Sequence, residues 1–216
     1  ITENDNYNFT EHDRYYTNGL FIRFNWLQKT NANNRITKTI NRAEAGQMIY
    51  NSYFNRHSNA EVLTTLDRPY AGWLYASFGK TKMYNNNDVL LYDATLGILG
   101  SAALGEQVQT GYHKLMRLYN VYGWDFQLKN EMGVNASIQY YHSLLNKDVR
   151  NVSLHAVGKA SLGNTFTYAS AGLLLKFGKL KKETESTYWD GNLGADDNTL
   201  KNKCESVFFL EPLLTA

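Results

Sequence analysis

The sequence predicts an all-β chain of antiparallel strands with one α-helix inserted among them. Three observations predict it. Apolar and polar residues alternate with period two along several segments, the mark of strands with two unlike faces. The alternating segments are long, about 11 to 14 residues against an ordinary strand of about 5 to 6, and they are joined by short turns and long polar loops in the manner of outer-membrane barrels. The composition is rich in Tyr (16), Phe (10) and Trp (4) but holds only 2 Pro. Aromatic residues favour sheet surfaces and membrane interfaces, where an apolar body and a polar tip are both satisfied.

The chain has 216 residues, enough for one domain with a substantial core. Lys+Arg is 22 and Asp+Glu is 20, a net charge of +2 that gives no reason to propose a nucleic-acid partner. The single cysteine, Cys204, excludes a disulfide framework within the chain. No apolar run is long enough for a membrane-spanning helix. The mean hydropathy of −0.47 fits a soluble domain, and equally a transmembrane barrel, since only alternate strand residues then face lipid. No secretory leader precedes ITENDNYNF, and CESVFFLEPLLTA stops within a strand pattern, so the chain reads as a single domain over 1–216, trimmed at both ends.

Taken in order, Ile1 to Phe9 reads as a strand end running into the polar NDNYN. Tyr15 to Leu27 is a long strand with Leu20, Ile22, Phe24 and Trp26 on one face and Thr17, Gly19, Arg23 and Asn25 on the other, where Phe21 interrupts the polar side. A sandwich would bury the first set against a second sheet, whereas a barrel turns it outward. Ile36 to Tyr50 is a less regular strand. Asn51 to Leu66 is a polar loop holding Arg56 and His57. Pro69 cannot donate to a ladder and belongs at the entrance of the strand Trp73 to Tyr84. NNND at 85–88 is a hairpin turn leading into Val89 to Leu99. Phe126 to Tyr141, Val149 to Ala160 and Thr165 to Phe177 follow as strands. Lys179 to Lys203 reads as a long exposed loop, and Cys204 to Thr215 as the last of eight or nine strands. Tyr15, Tyr16, Trp26, Trp73 and Tyr75 are expected at the membrane interfaces.

The helix is expected from about Ala103 to Leu118. Leu104, Val108, Tyr112, Leu115, Met116 and Tyr119 recur on one helical face. Glu106 lies early and Lys114 and Arg117 lie late, as the helix dipole favours. Gly123 closes the segment. His113 lies at the border of the apolar stripe, where a water-activating base could sit. Asp125 and Glu131 are expected to pin the helix exit, and Arg68 to be a structural ion-pair partner. The G-x-S-x-G elbow, the phosphate-binding loop and the dinucleotide fingerprint are all missing.

Seven segments then appear in order: NDNYN, DRYYTNG, GQMIY, DRPYAGWLY, GEQVQ with its following His113, GWDFQLKNE and GNTFTY. Together they resemble the outer-membrane lipid A 3'-O-deacylases, the LpxR-type family. The resemblance implies a twelve-stranded antiparallel transmembrane β-barrel in the bacterial outer membrane, here truncated at both ends, with one short inserted α-helix. It implies calcium-dependent hydrolysis of an acyl ester on lipid A of lipopolysaccharide. Residue by residue, it carries His113 as catalytic base, Thr17 as a catalytic polar contact, and Asn4 and Asp5 as ligands of Ca2+. The family's glutamate six residues after the histidine is Tyr119 here. The family's loop lysine has Arg56 or His57 as its nearest counterpart. Arg56, His57 and Tyr119 are thus candidate substrate contacts. The expected partners are lipid A and outer-membrane lipids, with the chain acting as a monomer. The alternative is a non-enzymatic structural or binding barrel on the same scaffold.

Overall fold

The computed structural model describes residues 2–4, 15–29, 35–52, 66–145, 151–194 and 204–216. Ten strands are described: β1 (Thr2–Asn4), β2 (Tyr15–Leu27), β3 (Ile36–Asn51), β4 (Ala71–Tyr84), β5 (Val89–Leu99), β6 (Glu131–Ser143), β7 (Val152–Gly163), β8 (Tyr168–Lys179), β9 (Ser206–Leu210) and β10 (Leu213–Thr215). They form one sheet in chain order from β1 to β8. Both β9 and β10 pair with β8. The ladders of β1 with β2, β6 with β7, β7 with β8, and β8 with β9 and β10 are antiparallel. The expected last strand is therefore divided. Pro212 cannot donate a ladder bond, and β9 stops before it while β10 starts after it. One α-helix, α1 (Gly105–Leu115), lies between β5 and β6 and is preceded by a 3-10 turn, Ser101–Ala103.

The chain divides into two compact units. The first contains residues 1–23, 44–76 and 95–134. Its β2 segment settles the choice between sandwich and barrel. Leu20 is 52% exposed and Ile22 73%, while Gly19 and Phe21, which alternate with them, are buried. Apolar side chains project from the exposed face of the strand, as a lipid-facing wall requires. Phe21, expected as a break in the polar face, packs at 6.4 Å from the ring of Tyr75. Trp73 and Tyr75 correct the interface assignment, because both are buried and stacked at 6.0 Å. The Tyr75 hydroxyl donates to Glu44 at 2.7 Å, and Arg23 pairs with the same carboxylate at 2.6 Å. Arg68 pairs with its neighbour Asp67 at 3.5 Å, an exposed structural contact as expected.

The second unit contains residues 24–43, 77–94 and 135–216. Its outward positions repeat the pattern, with Phe24, Phe78, Ile138, Leu162, Phe177 and Leu214 exposed. Trp26 is half-buried and lies between Phe24 and Phe78. The covered face mixes an apolar cluster around Ile40, Met83, Val89, Tyr141 and Leu174 with Thr39, Asn41, Asp88, His155, Lys176 and Glu183.

Part of the segment expected as an exposed loop is folded instead. Residues 180–194 carry buried Glu183, Ser186 and Trp189. Lys176 Nζ donates to Glu183 at 2.5 Å, and Trp189 Nε1 donates to the same oxygen. Lys38 Nζ holds the carbonyls of Thr184 and Gly191 at 3.0 and 2.5 Å. The mean polarity of the segment concealed this, because paired charges and lysine-held carbonyls accompany the few apolar side chains, Tyr188, Trp189 and Leu193, that join the core. The Glu205 carboxylate accepts from Thr187 N and Oγ1, each at 2.7 Å. Burial alone would raise its pKa, but these donors and Lys181 N outweigh burial and hold it below the ordinary glutamate value.

Candidate functional site

Helix α1 is shorter than its periodicity predicts and is oriented differently. Its buried residues are Gly105, Gln109 and His113, spaced i, i+4, i+8. Leu104, Val108, Leu115 and Met116, expected to cover the sheet, are exposed, Leu115 at 79%. The apolar stripe of α1 thus faces outward and its polar stripe inward, the arrangement that lipid, unlike water, tolerates. His113 is therefore a centre of the buried face and not a border residue.

Close backbone approach sets this orientation. A Cβ on Gly105 would lie 2.7 Å from the ring of Trp124 and 3.1 Å from Gly72 Cα, so the helix start rests directly on β4. Gln109 is 1% exposed and accepts a hydrogen bond from Trp124 Nε1 at 3.0 Å. Trp124 in turn packs edge-on against buried Tyr70. The ring of Trp124 thus pins the segment after the helix, while Asp125 and Glu131, expected in that role, are exposed. Sequence reasoning passes over Gln109 and Trp124. The polar i, i+4, i+8 series could find Gln109, whereas Trp124 lies outside the helix and no local spacing marks it.

The helix ends at the site rather than at Gly123. Leu118 N bonds to His113 O at 2.8 Å and Arg117 N to Lys114 O at 3.3 Å, with Arg117 left-handed at φ 55°. This pair of bonds is the Schellman closure. The chain then folds back, and His113 Nδ1 lies 2.9 Å from the carbonyl oxygen of Tyr119. A carbonyl only accepts, so Nδ1 carries the proton and Nε2 is the basic nitrogen of the neutral ring. The Tyr119 ring stands at 90° to the imidazole with centroids 4.9 Å apart. Main chain and ring edge of Tyr119 thereby fix the histidine's orientation.

His113 lines a cavity of about 630 Å³. Thr110 and Asn120 make it polar, Lys114 and Arg117 make it cationic, and Leu118 and Val121 make it apolar. Such a lining suits an amphiphile carrying both chain and charge.

The β1–β2 register places Asn4 opposite Asn18, the residue next to Thr17. The backbone therefore brings two of the expected positions to one end of one ladder. Asp5, Arg56 and His57 lie outside the described residues, and for Asn4 and Thr17 only the backbone is described. Among the described residues no three His, Cys, Asp or Glu side chains form a metal cluster. Asparagine, threonine and main-chain oxygens at the β1–β2 end are hard donors of the kind calcium takes, and the carboxylates Glu3 and Asp5 flank Asn4 in sequence.

A strand wall with apolar residues outward and Asn, Gln, His, Lys and Glu covered is that of an outer-membrane β-barrel protein. The chain matches the model of the family described as outer membrane protein LpxR over residues 1–216, and it belongs to that family. Among solved structures it is similar to LpxR from Salmonella typhimurium, with 22% identity and a TM-score of 0.64 over 77% of this chain and 54% of that one. The chain thus spans about half the length of that structure. No curated protein sequence matches it significantly.

Proposed function

We propose that the chain is part of an outer-membrane enzyme that hydrolyses an acyl ester of lipid A, with His113 as the general base. The observation that carries this is the tautomer imposed on a buried histidine that opens onto an amphiphilic cavity. His113 Nε2 takes a proton from water as the water oxygen bonds to the ester carbonyl carbon. The carbonyl–oxygen bond to the sugar then breaks. The same nitrogen returns the proton to the departing alkoxide, giving a fatty acid and a sugar hydroxyl. Nδ1–H stays on the Tyr119 carbonyl throughout, so the ring does not turn between the two transfers. Asn4 and Asp5 are the residues that would hold a calcium ion, and Thr17 is the chain neighbour of Asn18, which faces Asn4 in the ladder. When bound there, the ion supplies charge to polarise the ester carbonyl.

The test follows fatty-acid release by mass spectrometry from defined lipid A in detergent micelles, with calcium or with chelator. The parent chain should release acid in a calcium-dependent way, and His113→Ala should lose about 10²–10⁴ in rate. A folded parent that releases none from several lipid A species supports the non-enzymatic barrel instead.

A further inference from the structure

The cavity beside His113 holds two cations that the proposed hydrolysis does not use. Lys114 and Arg117 are exposed and line it, and neither pairs with an acid among the described residues. Cations at a helix C-terminus commonly offset its dipole, but here two of the last carbonyls already accept the N–H groups of Arg117 and Leu118. Arg117 also occupies the closing position of the helix at φ 55°, the place where glycine is favoured. The closure uses only the Arg117 backbone, so its side chain gains nothing from standing in a strained conformation. Strain of this kind persists where a function holds it.

We propose that Lys114 and Arg117 form an anion subsite that binds a phosphate of the glycolipid headgroup while the ester lies at His113. This rests on the lipid A deacylase reading of the same cavity. The chemistry is that of a phosphomonoester. Arg117 supplies a planar fork that can meet two phosphate oxygens, and Lys114 adds a mobile point charge. Both lie within one helical turn of His113, so an anion fixed there positions the head of the substrate relative to Nε2. Leu118 and Val121 on the same lining offer contact to the acyl chain.

The test is binding of phosphorylated and dephosphorylated lipid A to the full chain in mixed micelles, with chelator present so that calcium cannot bridge. The parent should bind the phosphorylated lipid about tenfold or more tightly than the dephosphorylated one, the range expected for charge-assisted contacts. In Lys114→Gln/Arg117→Gln the preference should collapse to about twofold or less. Arg117→Gly should lose part of the preference while its unfolding midpoint holds or rises, since glycine relieves the left-handed strain. Equal affinities for the two lipids, or an unchanged preference in the double variant, overturn the subsite. Inorganic phosphate is the remaining arm: millimolar phosphate should compete weakly, and binding as tight as the lipid's would mark a free-anion site and overturn the headgroup assignment. Fatty-acid release by the parent is measured alongside. Its absence sinks the deacylase reading, whereas loss of phosphate preference with release intact sinks only the subsite.

Discussion

Replacing Lys176 with Met should cost the protein about 3–5 kcal/mol, the penalty for leaving one member of a buried ion pair alone. Lys176 is 1% exposed and Glu183 6%. Their contact is 2.5 Å, and Ser153 Oγ and Trp189 Nε1 supply further hydrogen bonds to the same carboxylate. With the ammonium removed, Glu183 keeps its neutral donors but loses its countercharge. At an effective dielectric constant of about 20, a contact this short carries roughly 7 kcal/mol of Coulomb energy, of which desolvation offsets part. The double variant Lys176→Met/Glu183→Gln should recover most of the loss, because no buried charge then remains. The assay is urea unfolding in detergent or bilayers followed by tryptophan fluorescence. Trp189 is buried against Tyr141 and Tyr188 and reports release of the 180–194 segment directly. A single variant within about 0.5 kcal/mol of the parent, the usual scatter of surface substitutions, would refute the claim that this pair holds the segment. So would a double variant no better than the single one.

Four further outcomes are expected. Tyr119→Phe should keep the rate of ester release within about threefold, since the carbonyl that orients His113 is unchanged and only the hydroxyl is lost; a hundredfold loss would assign the work to the hydroxyl. Gln109→Leu leaves Trp124 Nε1 without its acceptor and should cost about 1–3 kcal/mol, read as a lowered unfolding midpoint. Ile22→Lys on the exposed wall should destabilise by about 2–4 kcal/mol in bilayers if it lies near the midplane; stabilisation would mean that this face meets water. Glu205 has a depressed folded pKa, so its contribution is fully present above the ordinary glutamate value of 4.5 and fades as pH falls through the lower folded one. The protection of Thr187 N, the slowing of its exchange relative to the intrinsic rate at the same pH, should accordingly fall on acidification in the parent, but be already low and nearly independent of pH in Glu205→Gln.

The strand positions were legible because a period of two is a local property. Each residue's face follows from its neighbours, and Leu20, Ile22 and Phe24 required no distant partner to declare themselves. The helix was legible in its place along the chain for the same reason, but its ends and its orientation were not. Periodicity finds an apolar stripe without saying which solvent that stripe meets. Water would turn Leu104, Val108 and Leu115 inward, and lipid leaves them out. The polar series Gly105, Gln109 and His113 was present in the sequence all along, and its meaning depended on that choice.

By itself, then, the sequence determined the class of secondary structure, the alternating wall, the family resemblance and the presence of a histidine on the helix between β5 and β6. These rest on spacing along the chain. Only the tertiary structure decided which nitrogen of His113 is basic, that the backbone of Tyr119 fixes it, that Lys114 and Arg117 share its cavity, and that Glu183, Ser186 and Trp189 are buried in a segment held by Lys38 and Lys176. Each of these is a meeting of groups whose approach is set by backbone folding and by the cost of leaving a polar atom unpaired, and neither is written in the local pattern.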